Sequence, residues 1–267
     1  MTGWLVGYLL LGAVAGFFAG LLGVGGGAIM VPVLALMFAA QNFAEGHLMH
    51  LALGTSMAAI IFTSVSSLRA HHRHGAVIWP IVKGIAPGIV VGTLVGAQVA
   101  GRLPTRPLAI FFAAFIGYVA VQMMLNIKPK PSRQLPGPVG MFGVGAGIGG
   151  VSALAAIGGG TLSVPFMTWC NVPVHHAIGT SAAIGFPIAV AGTVGYLIAG
   201  QGASELPPGS LGFVYLPALA ATVATSMLAA PLGAKVAHGL PVATVKKIFA
   251  CVLLLLLAKM LHGLIFR

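Results

Sequence analysis

The sequence predicts an all-α polytopic membrane protein made of two inverted repeats, each a glycine-broken helical hairpin with a short re-entrant-like arm plus three full transmembrane helices. Three observations lead there. Of the 267 residues 58% are hydrophobic and only 6% charged, with a mean hydropathy of +1.06, whereas soluble domains carry roughly a quarter charged residues. Apolar stretches fill nearly the whole chain, so at about 20 residues per crossing no length remains for a second folded domain. Motifs of the first half also return in the second, the mark of a duplicated unit.

Apolar stretches cover 4–22, 28–40, 48–68, 76–99, 107–125, 138–157, 161–171, 177–199, 210–236 and 242–265. Eight approach the length of a span. The other two, 28–40 and 161–171, reach only about 16–20 Å as helix against a hydrocarbon core of ~30 Å. Each short piece follows a glycine run, Gly25-Gly26-Gly27 or Gly158-Gly159-Gly160, and a continuous helix loses ~1 kcal/mol per glycine relative to alanine. Helix breaks inside the membrane are expected at both. The first apolar stretch has no basic n-region and no A-x-A site, so it is expected to be a retained membrane segment, not a signal peptide.

The repeat is visible residue by residue. Gly25 to Val31-Pro32 matches Gly158 to Val164-Pro165, and His50 with Gly54-Thr55-Ser56 matches His175-His176 with Gly179-Thr180-Ser181. Gly96-Ala97 with Pro104 matches Gly233-Ala234 with Pro241. The expected organisation is an N-terminal transmembrane repeat over 1–125, a cytoplasmic linker over 126–137 and a C-terminal transmembrane repeat over 138–267.

Loop charge tests whether the copies are parallel or inverted. If each short piece merely extends its neighbour, the basic residues divide six against five and orient nothing. If each turns back as its own element, one side holds Arg69, Arg73, Lys128, Lys130, Arg133, Lys235, Lys246 and Lys247, and the other only Arg102, Arg106 and Arg267. Eight against three obeys the positive-inside rule, so the halves are expected to be inverted, with the glycine turns deep in the bilayer and approaching from opposite faces. The net charge of +11 is then loop bias. The basic residues form no solvated patch interleaved with aromatics, so nucleic acid is excluded as a partner.

The glycine runs set the expected chemistry. A bare turn cannot face lipid, because each unpaired backbone group there costs several kcal/mol. After each run a helix begins, at Ala28 and at Thr161, and its first N–H groups are free and carry the positive end of the helix dipole. Two such ends aimed at one cavity suit an anion. The expected binding residues are Gly25, Gly26, Gly27 and Ala28 with Gly158, Gly159, Gly160 and Thr161, joined by the hydroxyls of Thr55, Ser56, Thr180 and Ser181. His50 and His176 sit about a turn away, as neutral donors or proton-coupling groups. Thr63, Ser64, Ser66 and Ser67 either line a path or bond to their own helix. Gly12, Gly16, Gly20 and the glycines of 143–149 are expected to let helices pack closely.

What is missing narrows the field further. Neither Glu45 nor Glu205, the only acidic residues, lies in an apolar stretch, so the carboxylate relay of many cation pumps is not available. No nucleophile with an orienting partner, zinc-ligand set or P-loop occurs, so an enzyme is not expected. His71, His72 and His74 crowd one loop without a carboxylate, a poor metal site. Cys170 and Cys251 read as small hydrophobes. No cofactor and no metal is expected, and the partners are a small anionic substrate and membrane lipids, with a homodimer left open.

Together, the Gly-Gly-Gly-x-x-x-Val-Pro turns at 25–32 and 158–165 and the His and Gly-Thr-Ser motifs at 50–56 and 175–181 resemble the sulfite exporter TauE/SafE family of membrane anion transporters. The resemblance covers nearly the whole chain. It implies secondary transport of sulfur-containing anions, such as sulfite, sulfonates or related organic anions, across a bacterial inner membrane, with the anion held between the two turns in an alternating-access cycle. An anion channel is the near alternative. A membrane-embedded sulfur carrier or enzyme using Cys170 is the distant one. The second copy has Ala156-Ile157 where the first has Gly23-Val24, so the half-sites need not be equivalent.

Overall fold

The computed structural model describes residues 2–22, 25–125, 132–237 and 242–265. Five helices fall in each half. The first five are α1 (Thr2–Leu22), α2 (Gly27–Ala40), α3 (Leu48–Arg73), α4 (Trp79–Arg102) and α5 (Thr105–Met124), with a 3-10 turn at Glu45–His47 leading into α3. The second five are α6 (Pro138–Ala155), α7 (Gly160–Trp169), α8 (Val174–Ala199), α9 (Leu216–Ala237) and α10 (Val242–Ile265). Two short strands, β1 (Ser210–Leu211) and β2 (Val214–Tyr215), pair antiparallel between α8 and α9. Among the described residues seven helices, α1, α3, α4, α5, α6, α8 and α9, are long and apolar enough to cross a membrane. The protein is an all-α polytopic membrane protein.

The two short arms are the pieces that do not cross. With 14 residues in α2 and 10 in α7, they reach about 21 and 15 Å. Both end in the same way. Asn42 and Asn171 take a left-handed backbone at φ 58 and 62. The next N–H, of Phe43 or Val172, then donates back to the carbonyl of Phe38 or Met167 at 3.1 and 3.0 Å, a Schellman closure that turns the chain out of the helix.

One expected stretch is shortened. The apolar run 210–236 reads as one helix, yet its first six residues form the hairpin and α9 begins at Leu216. Pro207 and Pro208 precede it, and Gly209 and Gly212 adopt φ of +87 and +51, conformations that glycine accepts and a helix does not. Of the linker, Lys128 and Lys130 lie outside the described residues, as do Gly23, Val24 and Arg267. The N–H groups of Ser132 and Arg133 both donate to the Trp169 carbonyl, which fastens the end of the linker to the end of α7.

Packing pairs each half with the other. Helix α1 lies on α9 and α4 on α6; α3 crosses α8, and α5 meets α10. Exchanging each helix for the one five places on reproduces this pattern. Glycines fix the directions. Gly12, Gly16 and Gly20 rest on Thr222, Ser226 and Ala230, and Gly88, Gly92 and Gly96 on Phe142, Ala146 and Gly150, so α1 runs parallel to α9 and α4 to α6. In contrast Gly54 abuts Tyr196, Gly192 abuts Met57 and Gly185 abuts Ser64, so α3 and α8 run in opposite directions. Helix α3 is the most enclosed, with 83% of its apolar window buried. The large apolar side chains of the outer helices, such as Val95, Leu228 and Leu255, face outward, as lipid contact requires.

These directions sort the connections to two ends. At one lie the end of α3 with Arg69 and Arg73, the start of α6 after Arg133, and the α7–α8 junction; Arg133 sits over the Trp169 ring at 4.8 Å. This is the basic end. At the other lie the 3-10 turn, the α4–α5 connection and the hairpin, where Thr105 donates to the Gly46 carbonyl and Phe213 packs on His47 and His50.

Close glycine contacts replace the hydrophobic drive that lipid removes, because apolar tails solvate leucine as well as a helix does. A Cβ at Gly92 would overlap the Ala146 carbonyl, while one at Gly147, on the outward face of α6, would meet nothing. Gly92→Leu is expected to cost about 1–3 kcal/mol of stability by overpacking, and Gly147→Leu to leave the melting temperature in detergent unchanged. Thermal unfolding of the two variants checks this.

Candidate functional site: two glycine turns between the central helices

Each short arm starts from a glycine in the left-handed region, Gly26 at φ 77 and Gly159 at φ 79, with no side chain capping either helix. The carbonyl of Gly26 accepts from Ile29 and Met30, both at 3.1 Å, and that of Gly159 from Leu162 and Ser163 at 3.1 and 2.7 Å. The N–H groups of Gly27 and Ala28, and of Gly160 and Thr161, come before those bonds and have no acceptor within their own helix. Pro32 and Pro165 sit one turn further on inside the same helices. Having no N–H, they leave the carbonyls of Ala28 and Thr161 free as well.

The two turns meet. A Cβ placed on Gly25 would stand 2.9 Å from the Cα of Gly158, and one on Gly27 would overlap the Ala156 carbonyl. Ile60 of α3 lies against Gly25 and Gly27, and Gly185 of α8 against the Gly158 carbonyl. The turns are thus clamped between the antiparallel central helices. Among the described residues Gly25 takes φ 83 in the first copy and Ala156 φ 45 in the second; Gly23, the counterpart of Ala156, lies outside them.

A narrow cleft opens beside this contact, lined by Gly25 and Gly158 together with Thr63, Ser64 and Ser67 of α3 and Gly185 of α8. Its enclosed part has room for about one water molecule. Of the expected binding residues, Gly25 and Gly158 line it. Gly26, Gly27, Ala28, Gly159, Gly160 and Thr161 are buried directly behind them. The hydroxyl of Thr161 is buried with no partner, and Ala28 is its counterpart in the other copy.

The Gly-Thr-Ser triplets are placed otherwise than expected. The Thr55 oxygen accepts the N–H of Tyr215 at 2.9 Å, and the Thr180 oxygen accepts that of Ile78 at 3.0 Å. Each threonine therefore holds the chain entering a helix of the opposite half, α9 or α4. Both are fully buried. The depth explains the difference: the turns lie level with Ile60 and Gly185, five residues, or about 7.5 Å, beyond Thr55 and Thr180. Ser181 donates to the Ile178 carbonyl at 2.8 Å, while the Ser56 hydroxyl is buried without a partner.

The histidines stand apart from the cleft. His50 Nε2 donates to the carbonyls of Ala100 and Leu103 at 3.1 and 3.0 Å, which ties the start of α3 to the end of α4, and its ring lies 4.8 Å from that of Phe213. His176 is half-buried in the first turn of α8, and neither histidine lines the cleft. What sequence reading left undecided was the polar run of α3. Thr63, Ser64 and Ser67 fall at i, i+1 and i+4, one helical face, and that spacing was the available signal.

No carboxylate approaches the cleft: Glu45 and Glu205 are both exposed in connections at the end opposite the basic one. Cys170 is buried beside Arg133 at the end of α7; burial pushes its thiol up, and Arg133 pulls the other way with the smaller effect. A thiol held protonated is a poor nucleophile. Among the described residues no group of three or more His, Cys, Asp or Glu is close enough to hold a metal.

The threonine placement carries a prediction. Thr55→Val and Thr180→Val each remove the acceptor of a part-buried N–H and are expected to cost about 1 kcal/mol. Ser56→Ala removes a hydroxyl with no partner and is expected not to lower the melting temperature in detergent. Destabilisation by Ser56→Ala alone would contradict this assignment.

Residues 8–260 match the family model described as sulfite exporter TauE/SafE. A probable membrane transporter protein of Haemophilus influenzae is 38% identical over 253 residues, covering 94% of this chain and 96% of its own. In Bacillus subtilis the probable membrane transporter protein YdhB is 27% identical over 89% of this chain and 90% of its own, and YunE 27% identical over 72% and 78%. No solved structure matches. The paired glycine turns, the short arms they start and the full-length match converge on one assignment: the chain is a multi-pass membrane transporter that belongs to the sulfite exporter TauE/SafE family.

Proposed function

We propose that the protein carries sulfur-containing anions, sulfite, sulfonates or related small organic anions, across the bacterial inner membrane by alternating access. The anion sits between the N-termini of α2 and α7. The observation that carries this reading is the contact of Gly25 with Gly158 beside a cleft that holds hydroxyls and no carboxylate. Helix N-termini and neutral donors suit negative oxygen, and glycine lets that oxygen reach the backbone. The family's description supports the sulfur cargo.

Magnitudes fit a carrier. A hydrogen bond to a charged group contributes about 1.5–3 kcal/mol, so two or three give about 3–9 kcal/mol. That corresponds to dissociation constants from millimolar to micromolar, tight enough to select and weak enough to release. The present cleft is too narrow for sulfite, so binding requires the turns to part.

The opposite directions of α3 and α8, with α1 on α9 mirrored by α4 on α6, support inverted repeats over 1–125 and 138–267. Alternation is then an exchange of roles between halves. The gathering of Arg69, Arg73, Arg133 and Lys235 at one end supports a cytoplasmic position for it, linker included.

Counterflow in proteoliposomes loaded with sulfite, sulfate, thiosulfate, taurine or sulfoacetate tests the reading. At least one anion should show exchange accelerated by unlabelled anion on the far side. Gly25→Ala, which meets both a positive φ and the Gly158 backbone, should lower exchange by at least about tenfold, equivalent to ~1.4 kcal/mol or more. Indifference to all five anions overturns the cargo, and flux without acceleration from the far side makes the protein a channel.

A further inference from the structure

Thr63, Ser64 and Ser67 descend α3 from the glycine turns toward the basic end, and on the facing helix the cleft follows Gly185 to Ala182, the same direction because α8 runs opposite to α3. The hydroxyls differ in state. Thr63 donates to the Ile60 carbonyl at 3.2 Å and Ser64 to that of Ile61 at 2.9 Å, each within its own helix. The Ser67 hydroxyl is buried, its residue 6% exposed, and has no partner. A buried hydroxyl left unbonded in a cleft costs about 1–3 kcal/mol, so its presence is explained by something that bonds it for part of the cycle.

The other half lacks this track. In the repeat that aligns Thr55 with Thr180, the counterparts of Thr63, Ser64 and Ser67 are Ile188, Ala189 and Gly192. Ile188 closes on Gly159, and Gly192 packs on Met57. Beyond them His50, Phe213 and Tyr215 seal that end. A polar half-path therefore leads from the turns to the basic end, and an apolar, closed half leads to the other.

We infer that Thr63, Ser64 and Ser67 form an oxyanion subsite between the basic end and the glycine turns, with Ser67 the outer ligand that selects for anions offering oxygen to a neutral donor. Thr63 and Ser64 swing from their own carbonyls to the anion as it passes. The inference deepens the anion-carrier reading and rests on it for the chemistry of the ligand, but the one-sidedness of the path stands on geometry alone.

Two measurements test it separately. In proteoliposome counterflow with sulfoacetate, Ser67→Ala should raise KM about tenfold, or ~1.4 kcal/mol, with a maximal rate near that of the native protein and a melting temperature no lower. Ser67→Thr, which keeps the hydroxyl, should restore most of the affinity. An unchanged KM in Ser67→Ala overturns the subsite. In a background with Cys170 and Cys251 replaced by serine, Ser67→Cys should react with an impermeant methanethiosulfonate at least about tenfold faster from the basic end, as expected for a path that opens to that side during the cycle. Ser204→Cys in the α8–α9 connection marks the opposite end, and Ala189→Cys should react from neither. Equal labelling from both ends, or labelling of Ala189→Cys as fast as Ser67→Cys, overturns the path. One-sided labelling without sulfoacetate exchange removes that cargo and leaves the path standing, while exchange without one-sided labelling does the reverse.

Discussion

A chain that breaks a helix inside a bilayer must give the freed amides and carbonyls a partner, since lipid offers none. Here each broken helix finds its cover in the other one. Gly25 lies on Gly158, Gly27 on the Ala156 carbonyl, and both turns are held between α3 and α8. Much else follows from that contact. It requires small residues at the turns, a central pair of helices running in opposite directions, and arms short enough to start near the middle and leave by the side they entered. It also brings the N-termini of α2 and α7 together with no carboxylate beside them, as the proposed anion site requires.

The arms would be loose without ties at their outer ends. The closures at Asn42 and Asn171 return the chain at the end of each arm. Thr55 and Thr180 then reach across to the opposite half and hold the entries to α9 and α4. These two bonds occupy matching places at opposite ends of the molecule. The ends are not alike. One carries the hairpin with Phe213 packed on His47 and His50, and the other carries the basic residues, toward which the buried polar run of α3 leads. That imbalance gives the molecule a facing direction in the conformation described.

The sequence made the breaks legible because two signals coincided: a triple glycine and a run too short to span, repeated with the same Val-Pro ending. The glycine stripe of α1 was legible for a similar reason, since spacing alone shows that small residues share a face. Depth was not legible. Placing Thr55 level with Gly25 required knowing how far the short arm climbs before the chain turns, and α2 and α7 differ by four residues. The partners of Thr55 and His50 lie 160 and about 50 residues away, contacts that no local pattern encodes. The hairpin at 210–215 was hidden because Leu211, Phe213 and Val214 are as apolar as the helix they precede. Thr63, Ser64 and Ser67 stood in view, but hydroxyls in membrane helices commonly bond to their own backbone, and only the neighbouring cleft separates Ser67 from that habit.

The most direct trial of the central claim is a cryo-electron microscopy structure with a transported anion bound. The account requires density for that anion flanked by residues 25–27 and 158–160, with Gly25 and Gly158 drawn apart to admit it. An anion lodged elsewhere while the two glycines stay in contact would contradict it.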